Sequence, residues 1–167
     1  WNFFVCHVVE EFADSFLGKE VSLHVNVELR HKLSLSHSAV HLAALGLNLA
    51  VRKYWKKEVP LDTLGNPDFD KLAIEESKIG EKSFDRYRIG KSMRKKGFLA
   101  EDFFQNLDTL QGEINLTLKE WLVTGSRIQT VGDTNTLKGN RYWICSLPHG
   151  EVKVPCGGTH AKSFDSY

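Results

Sequence analysis

The stretch from Ser34 to Lys57 has apolar side chains at helical spacing, which together form one wide face. Other elements must cover such a long apolar face, so the stretch predicts a central helix within a packed core. Gly46 lies inside it, where glycine costs about 1 kcal/mol relative to alanine. We therefore expect a close packing contact at Gly46. The apolar residues are Leu35, Val40, Leu42, Leu45, Leu47, Leu49, Val51 and Tyr54.

Two further helices are predicted downstream. Residues 100–124 repeat apolar side chains at spacings of three and four and are followed by Gly125, a typical helix end. A shorter helix over about 67–79 is expected after Asn66-Pro67, since asparagine is a good N-cap and proline suits the first helical position. The apolar residues of the longer helix are Phe103, Phe104, Leu107, Leu110, Ile114, Leu118, Trp121 and Leu122.

Several short segments have the pattern of strands. Residues 21–27 alternate apolar and polar side chains, the period of a half-buried strand, with His24 on the polar face. Near the end of the sequence, turn residues separate short runs, as in antiparallel strands; the runs are 127–131, 141–146 and 151–154. The sequence thus predicts an α+β fold, with two long helices packed on one face of an antiparallel sheet.

Length and charge limit the classes of function. The 167 residues correspond to about one domain, and 41% hydrophobic with 26% charged residues is typical of a folded globular protein. The chain has 22 basic and 21 acidic residues, so its net charge is +1. This small charge excludes binding of a polyanion by overall charge alone. Any contact with nucleic acid has to be local.

The sequence predicts a cytoplasmic protein with no membrane partner. It has no run of about 18 consecutive apolar residues and no pattern of a signal peptide at its start. Its three cysteines, Cys6, Cys145 and Cys156, are too few for a disulfide framework and fit a reducing compartment. Since Trp1 opens the sequence and Met93 is the only methionine, we expect that residues preceding Trp1 have been processed off or left out.

Two pairs of metal-ligand residues are separated by most of the chain. His37 and His41 lie four residues apart in the predicted helix, so their imidazoles project from one face. Cys156 and His160 have the same separation and follow a predicted strand. Three imidazoles and a thiol are a donor set suited to tetrahedral zinc. Taken singly, each pair also fits surface or core residues without a metal, and only the fold brings the pairs together.

Gly157, Gly158 and Thr159 lie between the second pair. Two consecutive glycines let the backbone turn tightly and approach a partner closely. Their backbone N–H groups could hold a substrate oxyanion or a terminal adenosine, and a plain turn explains them equally well.

These motifs resemble a known family. His-x-x-x-His in a long helix, with Cys-Gly-Gly-Thr-His far downstream, resembles the editing domain of alanyl-tRNA synthetases and the freestanding alanyl-tRNA editing proteins of the AlaX type. Threonyl-tRNA synthetase carries a more distant version. The resemblance implies an α+β editing-domain fold and a zinc ion bound by His37, His41, Cys156 and His160. It also implies hydrolysis of serine or glycine from the acceptor end of mischarged alanine tRNA.

The same resemblance predicts a division of the chain. Residues 1–30 would be the end of a truncated N-terminal barrel-like region, and residues 31–167 the metal-binding editing domain. Residues 58–82 have no clear counterpart and look like an insertion. The His-bearing motif lacks the glutamate of His-Glu-x-x-His, so no catalytic base is assigned and a zinc peptidase is not expected.

A basic run lies within residues 84–98, which read as strand, turn or both. Such runs usually form a solvated face, and next to an editing site this one predicts contacts with tRNA phosphates. Its cations are Arg86, Arg88, Lys91, Arg94, Lys95 and Lys96. A second cluster at the end of the long helix is explained by the helix dipole alone; it comprises Arg52, Lys53, Lys56 and Lys57.

Three functions are compatible with these features. The leading hypothesis is a zinc-dependent aminoacyl-tRNA hydrolase that acts in trans. Because four protein ligands close a tetrahedral site, catalysis would require one weak ligand or a fifth from the substrate. The alternative is a non-catalytic tRNA-binding module with a structural zinc ion. A metal hydrolase of small esters or amides is the third.

Overall fold

The helix α1, Val27–Val51, forms the centre of the fold and continues into a 3₁₀ turn over Arg52–Tyr54. The computed structural model describes residues 6–9, 13–123, 127–133, 135–136 and 138–164. After α1 the regular elements are α2 (Phe69–Ala73), β1 (Ile74–Lys78), β2 (Phe84–Tyr87), α3 (Lys91–Lys95), α4 (Ala100–Gln105), α5 (Leu107–Val123), β3 (Ile128–Gly132), β4 (Arg141–Leu147) and β5 (Gly150–Pro155).

The start of α1 differs from the prediction. Its N-cap is Asn26, whose side chain accepts a hydrogen bond of 3.0 Å from the Leu29 N–H. The predicted strand over 21–27 is wrong, and the helix begins seven residues before Ser34. Val21, Leu23 and Val25 are 51%, 66% and 59% exposed, because no strand among the described residues pairs with this segment. Alternation without a surface to cover does not make a strand.

The three-stranded sheet near the end of the chain confirms the predicted strands to within two residues. The strands β3, β4 and β5 pair antiparallel in that order. Trp143 lies opposite Val154, and Cys145 opposite Val152. The α+β class is confirmed in this coarse form, with a second, two-stranded sheet formed by β1 and β2.

The described residues form two hydrophobic cores, and the C-terminal half of α1 supplies residues to both. The first joins α1, α5 and one face of the three-stranded sheet, with Leu42, Trp121 and Trp143 among its members. The second joins the end of α1 to α2, α3 and α4, with Phe69 and Met93 among its members. The helix α1 thereby connects the three-stranded sheet to part of residues 58–82, the segment predicted to be an insertion.

Gly46 contacts α5, as expected. A Cβ built on Gly46 would lie 3.5 Å from Leu118 Cδ2 and 3.8 Å from Ile114 Cγ2, which are ordinary van der Waals distances. The contact is present, but it leaves room for a methyl group.

Two of the predicted helices are wrong in their extent. The helix expected over 67–79 lasts only from Phe69 to Ala73, and its N-cap is Asp68 rather than Asn66. The following residues pair with Phe84–Tyr87, so a hairpin replaces the rest of the helix. The helix expected over 100–124 is interrupted at Asn106. The Asn106 amide donates to the Asp102 carbonyl at 2.7 Å, a bond that competes with regular helix geometry.

One stretch among the described residues, Val27–Tyr54, is long and apolar enough to cross a membrane by length and composition alone. Buried core helices of soluble proteins pass the same test. Here the stretch supplies residues to both cores.

Candidate metal centre

The fold brings both predicted ligand pairs together. His37 and His41 project from α1, Cys156 follows the last residue of β5, and His160 lies four residues further on. One nitrogen of each histidine and the Cys156 sulfur all lie within 4.8 Å of one another. This group is close enough to bind a single metal ion.

The spacing within the group is compatible with zinc. Zinc bonds of about 2.0–2.1 Å to nitrogen and 2.3 Å to sulfur place tetrahedral donors about 3.3–3.8 Å apart. Cys156 Sγ lies 3.5 Å from His37 Nε2 and 3.3 Å from His160 Nε2. The buried Nε2 of His41 has no hydrogen-bond partner, as expected of an atom whose partner is an ion.

The surroundings of Cys156 favour its thiolate. Burial raises the pKa of the Cys156 thiol, but the rings of His160 and His37, which lie within hydrogen-bonding distance of its sulfur, outweigh burial and lower the pKa to about 3. The hydrogen bond to Cys156 raises the pKa of His37 despite burial. Cys145, by contrast, has its pKa raised to about 11 by burial. Since the thiolate is the form that binds metals, Cys156 is the better suited of the two cysteines to bind a metal ion.

Ser38, which sequence reasoning missed, connects the two ligand pairs. It is fully buried on α1, and its hydroxyl donates to the Ser34 carbonyl at 3.1 Å. The Ala161 N–H donates to the same hydroxyl oxygen at 3.1 Å, and His160 Nδ1 lies 3.3 Å from it. Ser38 therefore holds the His160 segment against the helix that carries the other two histidines.

Ser34, one turn earlier, makes a second connection. Its hydroxyl and that of Thr159 hydrogen-bond at 2.9 Å. Ser34 and Ser38 repeat the four-residue spacing of His37 and His41, offset by three residues. This repeat is a weak signal in the sequence, because the same helix carries other polar residues.

Gly158 contacts the ring of His37 directly. A Cβ at Gly158 would overlap that ring, whereas one at Gly157 would meet nothing within 4 Å. The expected close approach therefore belongs to Gly158 alone. Through this contact, Gly158 packs the segment that carries Cys156 and His160 against the helix that carries His37.

Aromatic packing fixes His41 from behind. Its ring stacks on Trp143 with centroids 5.0 Å apart, and Trp143 is fully buried in the first core. The sheet thus fixes the position of the His41 ring through Trp143, whereas α1 fixes the position of His37.

Cavities adjoin the group on two sides, and they differ in charge. One of about 440 Å³ is lined by Gly157–His160, Ser34, Thr130 and two arginines, Arg30 and Arg141. One of about 450 Å³ at His41 is lined by Asp62, Asp68 and Asp70 together with Lys71 and Lys153. The predicted substrate residues Gly157, Gly158 and Thr159 all face the first cavity, and their role there stays a prediction.

The three aspartates of the second cavity belong to a buried network. Asn48 donates to Asp62 at 3.0 Å and to Asp68 at 3.3 Å, and its carbonyl accepts from the Asp70 N–H. Burial raises the pKa of Asp70, against the opposing effect of a hydrogen bond from Tyr87. The network anchors the segment between α1 and α2, and its carboxylates make this side of the metal group unfavourable for an anion.

Half of the cations in the basic run form ion pairs, which the sequence of the run did not indicate. Strand β1 brings acidic residues beside it: Arg86 pairs with Glu75 and Glu76, and Arg88 with Glu75 at 3.4 Å. Arg94 pairs with Glu101 at 3.1 Å. The other three predicted RNA contacts, which make no ion pair among the described residues, are Lys91, Lys95 and Lys96.

No protein-family model, curated protein or solved structure matches this chain.

Proposed function

We propose that the protein is a zinc-dependent hydrolase that removes serine or glycine from mischarged alanine tRNA in trans. The observation that carries the proposal is the convergence of His37, His41, Cys156 and His160 beside open cavities. The resemblance of both ligand motifs to alanyl-tRNA editing domains supplies the substrate. In this proposal the fold is of the editing-domain type.

The residues of the site suit hydrolysis of an ester. An aminoacyl ester is already activated, so an enzyme has chiefly to orient it and stabilise the developing oxyanion. When bound, zinc would supply a Lewis acid at the ester carbonyl. Ser38 and Gly158 hold the ligands in place, and the cavity over Gly157–His160 gives the terminal ribose a place beside them. No residue is assigned as the general base.

A direct test is a deacylation assay with seryl, glycyl and alanyl tRNA. We expect seryl and glycyl tRNA to lose their amino acids faster with the zinc-loaded protein, and His37→Ala or a chelator to abolish the gain. His24→Ala is the control, since His24 is exposed and outside the donor group. Equal deacylation with and without metal would contradict the zinc mechanism.

The donor count favours a second candidate, a tRNA-binding module with a structural zinc ion. Four protein donors fill a tetrahedral site, and structural zinc contributes directly to folding. In this case, removal of the metal would unfold the protein, and tRNA binding without hydrolysis would be observed. A folded metal-free protein that regains hydrolysis when zinc is restored would exclude this alternative.

Cobalt substitution tests the ligand set independently of activity. Tetrahedral cobalt with a thiolate ligand has a sulfur-to-metal charge-transfer absorption, which Cys156→Ser should abolish. Cys145→Ser is the matched control, because burial holds the Cys145 thiol protonated away from the donor group. Retention of the absorption in Cys156→Ser would remove Cys156 from the ligand set.

A further inference from the structure

We infer that Arg30 and Arg141 form a binding site for a phosphodiester at the 3′ end of RNA, in the cavity over Gly157–His160. The inference rests on the proposed function and deepens it by assigning the surface that holds the RNA end. It assigns the phosphate contact nearest the ester to these two arginines and not to the basic run at residues 86–96.

The position of the cavity supplies the first argument. Its lining includes both arginines and His160, one of the four metal-ligand residues. The reacting ester is on the terminal ribose, and that ribose carries a phosphodiester of its own. One of the cavities that share a wall with the four-residue group must therefore accommodate a phosphate when the ester reaches that group.

The charges of the two arginines supply the second argument. Arg30 is exposed and its guanidinium has no ion pair among the residues that the structure describes. Arg141 is held by backbone carbonyls, with hydrogen bonds of 3.1 Å to Asp133 and 2.7 Å to Thr136. The carbonyls fix its position without neutralising its charge. A third bond, of 3.5 Å to the Gly157 carbonyl, brings the guanidinium N–H groups in use to three of five, which leaves two for a phosphate.

The carboxylate of Asp133, whose backbone carbonyl holds Arg141, is engaged elsewhere. Hydrogen bonds from Thr136 and from the Asn135 N–H, with a smaller contribution from the charge of Arg141, lower the pKa of Asp133. Asp133 does not line the cavity. The cavity wall thus presents two cations and no carboxylate.

A second basic cavity continues the surface on the other side of Arg30. It measures about 470 Å³ and is lined by Arg30, His31, Lys162 and His160, again without a carboxylate. The cavity at His41 has the opposite character, with three aspartates in its wall. Since unit charges a few ångströms apart interact by several kcal/mol near a protein surface, a phosphate favours the arginine side.

The test is binding of the RNA trinucleotide CCA to the zinc-loaded protein, measured by calorimetry, with adenosine as the phosphate-free probe. Arg30→Gln should weaken CCA binding about tenfold, as expected for loss of a charge-assisted hydrogen bond, and lower the salt dependence by about one ion. Adenosine binding should change little. Lys32→Gln is the matched control, because Lys32 is on the same helix, pairs with Glu28 and Glu81, and lines neither basic cavity.

Two further variants complete the test. Arg141→Gln should also weaken CCA binding, whereas Lys95→Ala with Lys96→Ala should leave it unchanged. CCA binding at wild-type strength in both arginine variants would overturn the inference, even if the protein hydrolyses mischarged tRNA. Arginine-dependent CCA binding without hydrolysis would support the inference while contradicting the proposed activity.

Discussion

The Ser38 hydroxyl lies 3.3 Å from Nδ1 of His160, a residue 122 positions further along the chain. The single hydroxyl proton is donated to the Ser34 carbonyl, so the oxygen can only accept from His160. With that proton on Nδ1, Nε2 is the nitrogen that faces Cys156 and that would give up its own proton when a metal ion binds. A hydrogen-bond partner on the ring nitrogen that does not bind the metal sets the tautomer and orientation of a ligating histidine.

Ser38→Ala should therefore weaken zinc binding about tenfold or more, the usual effect of losing such a partner. It also leaves the Ala161 N–H without its acceptor, which costs about 1–3 kcal/mol of stability. Competition with a chromophoric chelator measures the affinity. Ser36→Ala is the control, since Ser36 lies on the same helix and bonds Ser83 instead. Equal zinc affinity in both variants would refute the positioning role of Ser38.

Gly46→Ala should raise the free energy of unfolding by about 1 kcal/mol, because alanine is the better helix former. The new methyl group would contact Leu118 and Ile114 at van der Waals distance without displacing them. Gly112→Ala in α5 gives the same gain in propensity at an exposed position with no neighbour within 4 Å. Urea denaturation measures both. A loss of stability in Gly46→Ala alone would show that the α1–α5 contact is tighter than described.

Asp70→Asn should gain stability relative to the wild type as pH rises above about 4. Burial raises the pKa of Asp70, so the folded state holds its proton more tightly than the unfolded state does. Wild-type stability therefore falls between the ordinary pKa and the raised one, then stays level. Asparagine has no such titration and still accepts from Tyr87. Urea denaturation from pH 3.5 upward tests this, and a difference independent of pH would contradict it.

The sequence predicted those parts of the fold whose pattern and surroundings agree. The strands β3 to β5 were found because turn residues bound them and their alternate side chains face the first core. The predicted strand at 21–27 had the same alternation, but no element covers it among the described residues. Alternation indicates a strand only where a buried face and a partner strand exist.

The four His and Cys residues of the candidate site could be predicted from the sequence, but the residues that hold them in place could not. His37, His41, Cys156 and His160 stood out because the two motifs together resemble a known family, whereas each pair alone also fits residues that bind no metal. Ser34 and Ser38 have no chemistry rare enough to single them out, and their role depends on a contact with residues 159–161. Arg30 and Arg141 are likewise neighbours only in the folded chain. The ion pairs of the basic run could not be anticipated either, since β1 was expected to be helix.

Gly158→Ala should abolish zinc binding at the affinity of the wild type, while Gly157→Ala should retain it. A methyl group at Gly158 would overlap the His37 ring, and α1 holds His37 in place, so the overlap has to displace the 156–160 segment. That displacement separates Cys156 and His160 from the histidines of α1. The space around Gly157 is open, so the same substitution there changes only the backbone propensity. Zinc content after dialysis against a weak chelator compares the two variants. Retention of zinc by Gly158→Ala would show that the close approach of this glycine to His37 is not what assembles the group.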